Sequence, residues 1–473
     1  VEEYPRCVVD LLSIYTQREL AMFSTTNAAW DVRFVSTWEQ SQRQQQNYKV
    51  AVLGESYGTY LALRMLQLEG QDSRPHLIDF SILDGVVAPD LYSYMTQTGT
   101  FTSALRTLCS ACAEDYGGCR KALGPAPCQT MLKVKRLLET GHCAEAGFAA
   151  ADFVSFNGRV LSLLGSPLLP LVLTRRLLRC NPEDVVIVKQ RLRSLGASVA
   201  TSLNAAFTPS RTGGNQALLF NVVYSENQGL SDNPYPYLKN VGMDIDADAL
   251  GWFAPAQNFT AAQAVWPTYD DPLSNLYPSN ISSPILMMNG GLDGNTPVAY
   301  AFHAQQRLAA RTNPAVEPPR LVIFSPGKHV IMLQEQVKHS GVKCVVMFLN
   351  NPADPALNTC MDEVSISTII QDPVKYATAT EIAFAGGANI VANKTLLWAL
   401  DATHTTSSAA GHGGTDCGKT TVTEETTVTD GSRESVLFGE LYAAALAAGI
   451  STFVVALATL CVWKRMRYKE NGG

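Results

Sequence analysis

The stretch Val52-Leu53-Gly54-Glu55-Ser56-Tyr57-Gly58-Thr59, VLGESYGT, lies between YKVAVL and YLALRMLQL. The first flank is β-branched and apolar, like a buried parallel strand, and the second repeats apolar residues at helical spacing. Ser56 is therefore predicted at a strand-to-helix junction. A Gly-x-Ser-x-Gly run in that setting is the nucleophile elbow, where the backbone turns so sharply that neighbouring side chains would clash. Glycine is then expected at Gly54 and Gly58, with the serine hydroxyl projecting into a cleft. A plain turn serine fits the same five residues, so the choice depends on whether later segments supply partners.

An elbow serine finds its carboxylate and then its histidine further down the chain, at the ends of later strands. SSPILMMNGGLDGNTPVAYAFHAQQRL holds an apolar strand, a Gly-rich turn, Asp293, and Thr296-Pro297 opening a helix. RLVIFSPGKHVIM then gives a strand ending at Phe324, with His329 just beyond it. Both side chains fall at carboxyl ends of predicted parallel strands, where such sheets place catalytic groups. Serine attacks only when a base removes its proton, and a carboxylate holds the imidazole in the required tautomer and stabilises its cation. Among the seven histidines, His303 lies mid-helix, His404 and His412 lie in a polar tract, and His76, His142 and His339 follow no strand. Asp84, ending the apolar run FSILD, competes with Asp293 and is read as a partner of backbone amides.

At 473 residues the chain holds more than one module, and 46% hydrophobic content with 34 glycines fits a globular α/β protein. A net charge of -6 gives no attraction for nucleic acid. No phosphate-cradling loop or metal-ligand cluster is present in the sequence, so neither a cofactor nor a metal is expected. Of eleven cysteines, Cys109, Cys112, Cys119, Cys128, Cys143 and Cys180 fall within 72 residues, which predicts a disulfide-stapled segment made in an oxidising compartment. Acceptor sequons at Asn258, Asn280 and Asn393 agree with that compartment. From Leu441 to Trp463 run 23 uncharged residues, followed by Lys464, Arg465, Arg467 and Lys469. This reads as a transmembrane helix with a cytoplasmic tail, everything before it being external. The Thr-, Ser- and Gly-rich tract ahead of it suits a flexible stalk.

FSTTNAAWDVRFVSTW, VLGESYGT, ILDGVVAP, VWPTYDD, PILMMNGGLDGNTP and GKHV occur in the order seen in α/β-hydrolases related to prolyl and tripeptidyl aminopeptidases, which the chain resembles over roughly residues 15 to 365. The likeness includes the later pair Cys344 and Cys360. It implies an α/β-hydrolase fold, with a segment of about 190 residues (93–280) within the stretch from Asp84 to Ile285 forming a helical, disulfide-rich cap. It also implies a serine exopeptidase that cleaves an amide bond near the N-terminus of a peptide substrate. Ser56 would be the nucleophile, His329 the base, Asp293 its orienting acid, and the Tyr57 N–H one oxyanion donor. Relatives recognise the free amino group with acidic cap residues, a role open to Glu226, although a solvated surface glutamate fits that position as well.

The domain organisation expected from this is a partial hydrolase core at 1–92, the cap at 93–280, the rest of the core at 281–403, the stalk at 404–440, the membrane helix at 441–463 and a basic tail at 464–473. Relatives have several strands before the elbow, whereas 55 residues precede Ser56 here, and residue 1 is Val. The expectation is therefore a chain missing its beginning, with its signal peptide and its second oxyanion donor, and with an exposed sheet edge. GHGG at 411–414 looks like an oxyanion motif but follows no predicted strand. Lys328 stands where relatives carry a small residue and is expected to point outward. An esterase or a hydrolase-fold binding ectodomain would share the fold, because fold does not fix function.

Overall fold

The computed structural model describes residues 3–42, 49–71, 77–93, 97–116, 118–162, 167–189, 216–227, 263–334, 337–361, 365–366 and 370. Three helices, α1 (Glu3–Ile14), α2 (Gln17–Ala21) and α3 (Thr25–Gln42), precede the first strand. Then come β1 (Ala51–Glu55), α4 (Tyr57–Gln71) and β2 (Phe80–Asp84). A run of helices follows: α5 (Gln97–Glu114), α6 (Cys119–Leu123), α7 (Pro127–Glu139), α8 (Ala150–Ser162), α9 (Leu169–Arg179) and α10 (Gln216–Glu226). The chain then returns as β3 (Ile285–Gly290), α11 (Val298–Ala309), β4 (Arg320–Phe324) and α12 (Lys338–Asn350).

The four strands form one parallel sheet in the order β1-β2-β3-β4. Successive side chains on a strand point to opposite faces, so each strand feeds two cores. Leu83, Ile285 and Met287 pack with Leu61 and Met65 of α4 and Ala304 and Leu308 of α11. Ile82, Leu286, Met288, Val322 and Phe324 pack on the other face with Cys344 and Phe348 of α12. The result is a mixed α/β architecture with a parallel sheet between helical layers. β2 and β3 are buried along their whole length, and each large apolar side chain there contributes about 1.5–3 kcal/mol. β1 differs: among the described residues it pairs on one side only, and Leu53 is 47% exposed.

Helices α5 to α9 build a core of their own, with Phe101, Leu105, Met131, Phe153, Leu171 and Leu177 fully enclosed. All six clustered cysteines are paired, as Cys109–Cys128, Cys112–Cys119 and Cys143–Cys180. Cys344–Cys360 pins α12 to the turn after it. α1 packs through Val8 on Phe220, Val223 and Tyr224 of α10 and on Trp266, tying the start of the chain to the end of the insertion. No helix among the described residues is long and apolar enough to cross a membrane. The run at 441–463, the stalk and the basic tail lie outside the described residues, as do Asn258 and Asn393.

Candidate active site

Parallel register aligns the carboxyl ends of all four strands, so the residues just beyond them converge. Ser56 directly follows β1 with φ 55°, a left-handed conformation rare outside glycine and at home in sharp turns. Its amide donates to the Asp84 carbonyl at 2.9 Å, and Thr59 returns its amide and hydroxyl to the Ser56 carbonyl. The elbow needs glycine at position 54, where a Cβ would lie 2.3 Å from the Gly58 carbonyl oxygen. Position 58 corrects the sequence reading, because a Cβ there would meet nothing within 4 Å. Gly58 is the residue past which the chain runs, so the crowding falls on one partner only.

His329 Nε2 lies 2.7 Å from Ser56 Oγ, and His329 Nδ1 lies 3.0 and 3.1 Å from the two oxygens of Asp293. The Asp293 carboxylate also accepts the amides of Asn295 and Thr296 and the Thr296 hydroxyl. An ionised carboxylate only accepts, so Nδ1 carries the proton and Nε2 is left to accept from the serine hydroxyl. Asp293 and His329 are each 2% exposed. Helix α8 closes over them: Leu161 accepts the His329 amide at 3.4 Å, and Ser162 accepts from Asn295 at 3.0 Å. From α5, Thr100 donates to the Gly294 carbonyl. Gly294 has no room for a side chain, since a Cβ would lie 2.0 Å from the Phe101 ring.

Asp84 is placed apart from the relay. Its oxygens accept the Ile331 and Met332 amides at 2.8 Å each, as a backbone partner should. Burial pushes its carboxyl up to about 7, with those two amides pulling the other way. Tyr57 opens α4, where a first-turn amide has no acceptor within the helix. Its hydroxyl lies 2.8 Å from Thr25 Oγ1, and burial drives its ionisation far above the ordinary range.

Two side chains are not where the sequence suggested. Lys328 is 2% exposed and points inward, because the turn after β4 folds back over the end of β3; a Cβ on Gly290 would lie 2.1 Å from the Lys328 carbonyl oxygen. Glu226 is no solvated surface glutamate. It is 1% exposed, accepts the Thr25 amide at 2.8 Å, the Tyr269 hydroxyl at 2.6 Å and the Tyr60 hydroxyl at 3.2 Å, and lies 3.7 Å from Arg64. Asp271 meets the same guanidinium at 2.8 Å. Burial raises the Glu226 carboxyl, opposed in turn by Tyr269, Thr25 and Arg64. The buried cluster of Arg64, Glu226, Asp271, Tyr60 and Tyr269 escaped sequence reading because its members come from three distant segments with no shared spacing. Thr296 was read as the opening of a helix; its hydroxyl lies 3.2 Å from His329 Nδ1 as well as on Asp293.

No family model matches the chain, and no curated protein sequence matches it.

Proposed function

We propose that the chain is a serine hydrolase of the α/β-hydrolase kind, acting as an exopeptidase at the N-terminus of peptides. The observation that carries this is the continuous hydrogen-bonded line from Ser56 Oγ through both nitrogens of His329 to Asp293. As Ser56 Oγ attacks a carbonyl carbon, its proton passes to His329 Nε2, and Asp293 stabilises the imidazolium across Nδ1. The Tyr57 amide, aimed along the start of α4, donates to the developing oxyanion with the positive end of the helix behind it. The imidazolium then protonates the leaving amine, leaving an acyl-serine that water, deprotonated by the same imidazole, hydrolyses.

Choice of a free amino terminus draws support from charge. The buried cluster near Tyr57 sets two carboxylates, Glu226 and Asp271, against one guanidinium, Arg64. It holds more acidic than basic groups, a composition that favours an ammonium over an anion nearby. The uncharged segment at 441–463 with its basic flank adds to this reading a membrane tether that leaves the hydrolase external.

A fluorophosphonate probe tests the chemistry: wild type should be labelled on one serine, and Ser56→Ala should not be labelled. Peptides with a free N-terminus should be cleaved and N-acetylated copies spared, since acetylation removes the charge. Equal cleavage of both would replace the exopeptidase with a general amidase or esterase. No labelling of a folded chain extended to include the second oxyanion donor would make it a binding protein.

A further inference from the structure

The loop that carries His329 runs through a strained stretch of backbone. Val330 has φ 58° and ψ 102°, a conformation that β-branched residues almost never adopt. Such a residue persists only where its surroundings over-determine it. Two buried side chains do so here. Asp84, at the end of β2, accepts the amides of Ile331 and Met332. Gln334 donates its Nε2 to the carbonyls of His329 and Val330 at 3.0 and 2.9 Å, while its Oε1 accepts the Lys328 amide at 2.7 Å. Each of the five consecutive residues from 328 to 332 therefore has a main-chain polar group held by one or the other. Both side chains are buried, Asp84 fully and Gln334 at 6% exposure.

We propose that Asp84 and Gln334 are positioning residues that act as a two-jawed clamp, holding the His329 imidazole on Ser56 by fixing the strained backbone on both sides of Val330. The proposal rests on His329 being the base of the hydrolase. One jaw grips amides and the other mainly carbonyls, so the loop can neither slide nor flip a peptide plane without breaking bonds that buried groups could not recover from water. Asp84 also faces charge. Glu55 stands opposite it in register on β1, His329 lies across the loop and Lys328 is buried on that same loop.

The test compares wild type with Asp84→Asn and Gln334→Met in the full chain. Fluorophosphonate labelling should keep its apparent binding constant, while its maximal rate falls roughly ten- to a hundredfold in both variants, as a small misplacement of the base would cause. In Asp84→Asn the pH profile of labelling should also lose the inflection near pH 7 that the Asp84 carboxyl contributes; in Gln334→Met that inflection should stay. Variants that unfold at lower temperature yet label at the wild-type maximal rate would reduce the clamp to ordinary stability and overturn the proposal. Should Asp84→Asn fail to fold, Gln334→Met decides alone. Should wild type itself not be labelled, the hydrolase reading falls, and the clamp is then judged by hydrogen exchange. The amides of Ile331 and Met332 should exchange about tenfold faster or more in either variant, and unchanged exchange would overturn it.

Discussion

The sheet that carries Ser56 and the helical insertion that covers it are stabilised by different means. β2 and β3 lie between two helical layers, and among the described residues the sheet contains no cross-link; the disulfide on that side joins α12 to its own following turn. Helices α5 to α9 enclose an apolar core of their own, and three disulfides cross-link this region. A sheet covered on both faces removes enough apolar surface from water to hold together. The insertion adds cross-links to its buried core, and these act by restricting the unfolded chain. The two regions meet at the acid and histidine loops, through Gly294, Asn295 and His329. Disturbance of either region should therefore register at the relay.

The largest expected effect is on the sheet side. Asp293→Asn keeps the shape but presents an amide to His329 Nδ1, favouring the wrong tautomer. Turnover should fall by about 10⁴-fold while the melting temperature changes little. Retained turnover would show that the line of hydrogen bonds is not the reaction path.

On the insertion side, replacing Cys143 and Cys180 together by serine opens a loop of 37 residues and should cost about 2–4 kcal/mol. Limited proteolysis should then cut the insertion before the sheet. Simultaneous cutting would mean that the two regions unfold as one, and the contrast drawn above would be lost.

The contact between them can be probed at Gly294. A methyl group at Gly294→Ala must displace the Phe101 ring, at a cost of about 1–3 kcal/mol, and should lower activity several-fold by shifting Asp293. Adding Phe101→Leu should restore part of both. Failure of the second change to help would place the strain within the acid loop and not between the regions.

A further effect lies in the pH dependence of stability. Folding raises the Asp84 carboxyl from its ordinary value to about 7. The folded state therefore holds that proton more tightly than the unfolded chain does. Its contribution is fully present below about pH 4 and is lost as pH rises to about 7. The melting temperature of wild type relative to Asp84→Asn should fall across that window, and a constant difference would deny the shift.

Ser56, Asp293 and His329 were legible in the sequence because each follows an apolar run that could only be a strand, and parallel strands bring their carboxyl ends together. The stapled insertion was legible through cysteine density. Burial of Glu226 and Lys328 was not. A charged side chain reads as exposed until its partners are known, and the partners of Glu226 lie at Thr25, Tyr60, Arg64 and Tyr269. Gln334 carried no signal either, since amides occur anywhere and its bonds go to backbone. The docking of α1 on α10 was hidden for a related reason: Val8 and Phe220 look like ordinary apolar residues of separate amphipathic segments.

Ser56 and His329 are separated by 273 positions, and the entire helical insertion lies between them. At about 5–20 residues per second, a ribosome needs roughly 15–55 s to travel from one to the other. Throughout that interval the growing polypeptide exposes a serine with no base. By the time the base emerges, the insertion has already left the tunnel. In the proposed hydrolase, order along the gene would thus do what a removable inhibitory segment does elsewhere: Ser56 meets His329 only after the insertion has been made.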